Sequence, residues 1–130
     1  MSGLPRVLVV DDEPLITQML MRMLRRQFVV TTENDPSAAV KLLAAGARFD
    51  LVICDLMMAP IDGMEVFRGI ERHCPALADR FLLMTGGASH PAVEQLLTTW
   101  PRPVLFKPFS LLEVEKVVPE MLARPERMVG

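Results

Sequence analysis

Five short runs of apolar, β-forming residues recur along the chain, and segments with helical periodicity separate them. The runs are Arg6–Val10, Phe28–Thr32, Leu51–Cys54, Phe81–Met84 and Val104–Phe106. Most are continuously apolar and do not alternate between apolar and polar residues, which is typical of strands buried on both faces of a parallel sheet. The pattern predicts a doubly wound α/β fold, in which a five-stranded parallel sheet lies between two helix layers.

The segments between the strands carry helix start and stop signals. Apolar residues at helical spacing predict the first helix over residues 15–24. Asp35 followed by Pro36 is typical of an N-cap and a first helical residue, and Gly46 should end this second helix. The remaining helices are expected over residues 64–73, after Pro91, and from the capping box Ser110-Leu-Leu-Glu113. We expect Pro119 to kink or end the last helix.

Composition excludes several kinds of protein. The 130 residues are 51% apolar and carry a net charge of −2 without a basic stripe, which argues against direct binding of nucleic acid. The longest apolar run is far too short to span a membrane, and the N-terminus lacks a signal-peptide pattern. Two cysteines do not make a disulfide framework, and Cys54 is most simply a core residue. We therefore expect one domain over residues 1–130, in the cytoplasm and without membrane insertion.

Polar side chains follow four of the five predicted strands. They are Asp11 and Asp12 after the first strand, Asp55 after the third, Thr85 after the fourth and Lys107 after the fifth, whereas the second ends in Thr31-Thr32 without a charge. Right-handed crossovers bring the carboxyl ends of parallel strands to one edge, where open α/β sheets bind ligands. Each residue alone has a structural explanation, such as helix capping by Asp12 or a solvated Lys107. Their convergence at one edge favours a functional site.

The charges of this group restrict its chemistry. Carboxylates a few ångströms apart repel by roughly 4 kcal/mol per pair at an effective dielectric constant near 20. Either one acid holds a proton because its pKa is raised, or a hard divalent cation binds between them. Oxygen ligands without nearby histidine or cysteine favour Mg²⁺, which commonly sits beside a phosphoryl group. Lys107 and the Thr85 hydroxyl could contact such a group as well.

Four motifs in order carry a family resemblance. They are VLVVDDEP (7–14), VICDLMMAPIDG (52–63), LLMTGG (82–87) and FKPF (106–109). From about Arg6 to Ala123 the chain resembles a response-regulator receiver domain of two-component phosphorelay signalling, and the separations between Asp55, Thr85 and Lys107 are typical of that family. The resemblance implies the flavodoxin-like (βα)5 receiver fold. Only the residues ARPERMVG follow the fifth helix in this sequence, so we expect a single receiver domain and no output domain within residues 1–130.

The resemblance assigns a role to each acidic residue. Asp11 and Asp12 would hold Mg²⁺ together with Asp55 and the backbone carbonyl of Met57. Asp55 would be the phosphoacceptor that takes a phosphoryl group from a histidine kinase, from a phosphotransfer protein or from a small donor such as acetyl phosphate. The protein would then switch its contacts with an effector protein, which the sequence does not identify, and would lose the group by hydrolysis. Self-phosphorylation and self-dephosphorylation would be its only catalysis.

The same resemblance covers the remaining two site residues. Lys107 would pair with the phosphoryl oxygens, and the Thr85 hydroxyl would move to bind one of them. The Lys107–Pro108 bond is expected to be cis. Some members of the family pair through the fourth and fifth helices, which makes Trp100 a candidate contact in a homodimer, although half-buried packing of Trp100 is the favoured explanation.

Two features depart from the family pattern. Val104 occupies the position where members usually have an aromatic residue that swings inward after phosphorylation, so we expect switching to use another element or to move the last strand and helix less. Met57 and Gly87 occupy positions that influence how readily water reaches the phosphoryl group. A bulky Met57 would shield the group, while Gly87 would open the other side.

Alternatives remain for the parent protein and for the function. The chain could be a stand-alone receiver, a receiver of a longer transcription regulator, or the receiver of a hybrid histidine kinase, which the Thr-Gly-Gly sequence and the short fourth helix slightly favour. A receiver-like binding module that is never phosphorylated is a second function class. An aspartate-nucleophile phosphatase of the haloacid-dehalogenase type is a third, but it needs a D-x-D motif that the first strand lacks.

Overall fold

In the computed structural model, which describes residues 3–86 and 91–125, five strands alternate with five α-helices. The strands are β1 Arg6–Val10, β2 Val29–Glu33, β3 Leu51–Asp55, β4 Phe81–Thr85 and β5 Val104–Phe106. The helices are α1 Pro14–Leu24, α2 Pro36–Ala44, α3 Gly63–His73, α4 Pro91–Thr99 and α5 Leu111–Leu122, and a 3₁₀ helix, Pro75–Arg80, precedes β4. Within the described ranges, no helix is long and apolar enough to cross a membrane.

The strands form one parallel sheet in the order β2-β1-β3-β4-β5. The chain therefore winds outward from β1 to β2, returns to β3 on the other side of β1, and continues in that direction. The strand order reverses between β1 and β3, and in open α/β sheets ligands bind beyond the carboxyl ends of such a pair. This confirms the predicted fold and places the ends of β1 and β3 side by side.

Alternate residues of the strands enter two separate cores. In β1, Leu8 and Val10 pack with α2 and α3, whereas Val7 and Val9 pack with α1 and α5. All five residues of β3 are buried, as expected of a strand covered on both faces. Cys54 lies in the α2–α3 core, which confirms its prediction as a core residue.

The observed ends of the elements matter for the site. β3 and β4 each run one residue further than predicted, so Asp55 and Thr85 are the last residues of strands instead of the first residues of loops.

The N-cap of α2 at Asp35 is confirmed. Pro119, which was expected to kink or end the last helix, does not end it, because α5 continues to Leu122. Proline lacks only its own N–H, and its carbonyl oxygen accepts the N–H of Ala123 at 3.0 Å.

An aromatic cluster anchors the loop between α4 and β5. Trp100 meets the ring of Phe67 edge-on at 5.1 Å and that of Phe81 at 6.0 Å. The Arg102 guanidinium lies 5.0 Å from the ring centres of both Phe67 and Trp100 and forms a 2.6 Å ion pair with Asp79. Trp100 is thus engaged in packing within the chain, as favoured above, and the homodimer through α4 and α5 stays a prediction.

Gly63 stands where α3 begins against the end of β3. Its N–H donates to the carbonyl of Leu56 at 2.9 Å. A Cβ at this position would overlap the Asp55 carbonyl oxygen and lie 2.9 Å from the Leu56 Cα, both of which are backbone atoms that cannot move independently. The close approach of α3 to the strand that carries Asp55 therefore requires glycine.

We expect Gly63→Ala to lower the free energy of unfolding by about 1–3 kcal/mol, because overpacking against backbone outweighs the better helix propensity of alanine. Gly69→Ala in the same helix is the matched control, since its Cβ would meet the Val40 side chain, at 3.1 Å, and not backbone atoms. Urea unfolding of both variants measures the difference. Equal stability of the two variants would contradict the proposed close packing.

Candidate functional site

Three carboxylates meet at the edge of the sheet where the strand order reverses. Asp11 directly follows β1, Asp12 comes next, and Asp55 ends β3. One carboxylate oxygen from each lies within 4.8 Å of those of the other two. Asp11 and Asp55 are 0% and 4% exposed, whereas Asp12 faces solvent. The structure therefore brings together the acidic residues that the sequence placed at one edge.

Lys107 reaches this cluster from the end of β5. Its Nζ donates to Asp11 Oδ2 at 2.8 Å and lies 3.3 Å from Asp55 Oδ1, with Glu13 further out at 4.0 Å. Only 15% of the Lys107 side chain is exposed, so the alternative explanation of Lys107 as a solvated surface residue is wrong. The predicted cis Lys107–Pro108 bond is confirmed, and a second cis bond, Ala59–Pro60, was not foreseen.

Burial and charge set the ionisation of the cluster. Burial and the neighbouring Asp11 charge raise the pKa of Asp55 to about 6, although Lys107 opposes the shift. Burial of Lys107 favours its neutral form, but the hydrogen bond to Asp11 and the charge of Asp55 outweigh this effect and raise the pKa of the amine. One ammonium thus only partly compensates three carboxylates.

Thr85 ends β4 beside the cluster and is fully buried. Its carbonyl oxygen accepts the N–H of Lys107 at 2.8 Å, which ties the lysine to the end of β4. Met57 lies past β3 and is 62% exposed, and the role of its carbonyl as a metal ligand stays a prediction. Gly87 lies outside the described residues.

The sequence did not reveal how Asp11 is held. Its Oδ1 accepts the N–H of Glu13 at 2.9 Å, and Glu13, not Asp12, occupies the N-cap position of α1. The Asn34 amide donates to the Asp11 carbonyl oxygen at 2.7 Å. Asn34 follows β2 at the same edge, but the predicted strand ended at Thr32, so this polar residue was not counted with the others.

The donor set suits a hard divalent cation. Asp11, Asp12 and Asp55 offer only carboxylate oxygens, which Mg²⁺ and Ca²⁺ prefer over nitrogen and sulfur ligands. Three carboxylates beside the single Lys107 ammonium leave negative charge in excess, and the Asp11 charge adds to burial in raising the pKa of Asp55. A cation at this position would relieve that excess, so the residues present fit Mg²⁺.

Comparison with known proteins decides the family. A sequence model described as the response regulator receiver domain matches residues 7–119. The chain belongs to the response-regulator receiver domain family. All the candidate site residues, including Asp11, Asp55 and Lys107, lie within that span.

Individual relatives of this receiver agree with the family assignment. The chain is 36% identical over 112 residues to the probable transcriptional regulatory protein TcrX of Mycobacterium tuberculosis, covering 83% of this chain and 45% of TcrX. The receiver thus spans less than half the length of the curated relatives it matches first. Two solved structures are also similar. A response regulator receiver protein from Sinorhizobium medicae is 26% identical, with a TM-score of 0.77, and the match covers 94% of this chain and 97% of that chain. The response regulator protein TrrA from Thermotoga maritima, in complex with Mg²⁺–BeF, is 27% identical, with a TM-score of 0.74, and the match covers 91% of this chain and 99% of that chain.

The pKa of Asp55 predicts a pH-dependent cost of folding without metal. Because this pKa is raised to about 6 from 3.8, the folded receiver binds a proton more readily than the unfolded chain, and its stability falls as pH rises between these values. Asp55→Asn removes this cost, so we expect the variant to be more stable above pH 6, by about 1–3 kcal/mol. The gain should fade as the pH falls towards 4.

Unfolding of the wild-type receiver and of Asp55→Asn in EDTA at pH 4 to 7.5 measures this difference. The contributions of the other titrating groups cancel in the stability difference, because both proteins contain them. Added Mg²⁺ should stabilise the wild-type receiver more than Asp55→Asn. A stability difference that does not change with pH would contradict the raised pKa.

Proposed function

We propose that Asp55 is the phosphoacceptor of this receiver and takes its phosphoryl group from a phosphohistidine of a kinase or phosphotransfer protein, or from acetyl phosphate. The observation that carries the proposal is the position of the Asp55 carboxylate. It ends a buried strand, lies 3.3 Å from the Lys107 ammonium, and shares a cluster 4.8 Å across with Asp11 and Asp12. The strand fixes the position of this nucleophile. The Lys107 ammonium already offsets part of the electrostatic repulsion between the carboxylates and an incoming phosphoryl group.

The carboxylates of Asp11, Asp12 and Asp55, with the Met57 carbonyl, would hold Mg²⁺. When bound, the ion neutralises negative charge between the carboxylates and an incoming phosphoryl group. The similar TrrA structure, in complex with Mg²⁺–BeF, supports this part of the proposal.

The remaining steps belong to the side chains of the receiver. An Asp55 oxygen attacks phosphorus as the P–N bond of the donor phosphohistidine breaks. The donor imidazole leaves with the electron pair of that bond, neutral because its other ring nitrogen carries a proton. Lys107, now 3.3 Å from Asp55, passes to the phosphoryl oxygens, and the Thr85 hydroxyl donates to another of them.

The acyl phosphate formed on Asp55 is labile, so water would end the signal by attacking phosphorus and releasing inorganic phosphate. We propose that this self-turnover is the only catalysis, with any kinase activity in another protein or domain. The exposed Met57 side chain would border the path of the attacking water. We expect the cycle to run in the cytoplasm, where the ATP that charges histidine kinases is available.

The parent protein and its output are further parts of the proposal. We propose that residues 1–130 form one receiver domain with a core over about 6–123, and that phosphorylation changes its contacts with an effector. The match to TcrX, a longer probable transcriptional regulator, supports a parent of that kind. The receiver of a hybrid histidine kinase, slightly favoured by the sequence, stays a prediction.

Incubation with acetyl phosphate and Mg²⁺ followed by intact-mass measurement tests the proposal. We expect one phosphoryl adduct on the wild-type receiver, and none in Asp55→Asn or in EDTA. Asp50→Asn is the matched control, because Asp50 directly precedes the same strand at its opposite end, where it accepts the backbone N–H of Arg6. Lys107→Ala should slow adduct formation by about 10²–10³-fold, the effect of losing one preorganised charge donor.

Each alternative function gives a different result in the same experiment. Mg²⁺ binding without an adduct from any donor would indicate a receiver-like binding module that is not phosphorylated. Steady hydrolysis of a small phosphate ester would indicate an aspartate-nucleophile phosphatase. Either outcome would reject Asp55 as the acceptor of a signalling phosphoryl group.

A further inference from the structure

Asn34, which lies outside the four sequence motifs of the family, contacts the loop that carries Asp11 and Asp12. Asn34 directly follows β2, the edge strand next to β1. Its amide nitrogen donates to the Asp11 carbonyl oxygen at 2.7 Å and to the Thr17 hydroxyl at 3.1 Å. Both acceptor residues are buried, at 0% and 2% exposure, although Asn34 itself is exposed on its outer side. The two N–H groups of one amide thus connect the end of β2 with the residue that follows β1 and with the first turn of α1.

The bond to Asp11 completes a set of four contacts that fix this residue. The N–H of Asp11 donates to the Glu33 carbonyl at 3.2 Å. Its Oδ1 accepts the N–H of Glu13 and its Oδ2 accepts the Lys107 ammonium. Asn34 supplies the contact to the remaining polar atom, the carbonyl oxygen, and this atom lies in the peptide bond that joins Asp11 to Asp12. The orientation of that peptide bond determines where the Asp12 carboxylate points relative to the other two.

The Thr17 contact makes the amide specific. The Thr17 hydroxyl donates its hydrogen to the Pro14 carbonyl oxygen at 3.0 Å, so it can only accept from Asn34. The Asp11 carbonyl is likewise an acceptor. A residue at position 34 must therefore donate twice from one group. Aspartate would face two acceptors with an oxygen, and alanine would leave the buried Thr17 hydroxyl and the Asp11 carbonyl without this donor.

We propose that Asn34 is a positioning residue, which orients the Asp11-Asp12 peptide and thereby sets how tightly the carboxylate cluster binds Mg²⁺. Its effect on phosphorylation rests on the proposed function, whereas its effect on the metal does not. Side chains that orient metal ligands without touching the ion typically change metal affinity by about 10–100-fold when they are removed.

Calorimetric titration of the phosphate-free receiver with Mg²⁺ tests the inference. We expect Asn34→Ala to raise the Kd for Mg²⁺ about tenfold or more. Thr17→Val should raise it in the same direction, and the double variant should show less than the product of the two effects, because both substitutions break one network. Thr17→Val also serves as the independent test should Asn34→Ala fail to fold.

Ile70→Val is the control for a merely structural role. Ile70 is fully buried in the α2–α3 core, away from the loop, and the substitution destabilises the domain without touching the network. Its Kd for Mg²⁺ should match that of the wild-type receiver.

In Asn34→Ala, phosphorylation by acetyl phosphate should be slow at low Mg²⁺ and recover at saturating Mg²⁺, because the reacting groups themselves are intact.

Failure of this inference and failure of the proposed function are distinguishable. The positioning role is overturned if the Kd of Asn34→Ala for Mg²⁺ is within twofold of the wild-type value, or if Ile70→Val raises this Kd as much as Asn34→Ala does. In either case an adduct on Asp55 would still support the proposed function. A raised Kd in a receiver that forms no adduct supports the positioning role and rejects the function. Absence of Mg²⁺ binding by the wild-type receiver overturns the inference.

Discussion

The contact of one ammonium with two buried carboxylates is the interaction on which the rest of the structure depends. Lys107 lies between Asp11 and Asp55, at 2.8 and 3.3 Å, in a position from which water is largely excluded. Buried charges of one sign are costly, and breaking such a pair by removing one partner leaves an uncompensated charge. The parallel sheet makes this arrangement possible because its topology brings the ends of β1, β3 and β5 to one edge. Three carboxylates still outnumber the one ammonium, and a bound cation would offset this excess of negative charge.

Much of the fold and most of the site could be predicted because their signals are local in sequence. Continuous apolar runs identified the strands, and the residues that end them, such as Asp55 and Lys107, converge once the strands are parallel. The roles of Asn34 and Gly63 could not be predicted in this way. The Asn34 amide contacts two acceptors, one after β1 and one in the first turn of α1, and α3 approaches the Asp55 backbone at Gly63. Neither contact leaves a pattern in the sequence. Pro119 shows the opposite case, in which a strong local signal did not end the helix.

The region around β5 gives a structural context for the missing aromatic residue. Val104 begins a strand of only three residues, and Arg102, two positions earlier, is held between Phe67 and Trp100 and paired with Asp79. These contacts fasten the approach to β5 to α3 and to the 3₁₀ helix. Such an anchored loop is in keeping with the expectation that this receiver switches with less movement of its last strand than relatives that carry an aromatic residue there.

The dependence of Mg²⁺ affinity on Lys107 tests the central claim most directly. If the ammonium compensates the carboxylates that hold the cation, Lys107→Met should bind Mg²⁺ about tenfold more tightly or better, because a repelling charge a few ångströms from the cation is removed. Lys116→Met is the control, since it makes the same change in net charge on the exposed side of α5. Calorimetric titration at fixed pH and ionic strength gives both values. A lower Kd in Lys107→Met alone is the predicted result, and an unchanged or higher Kd would contradict the account.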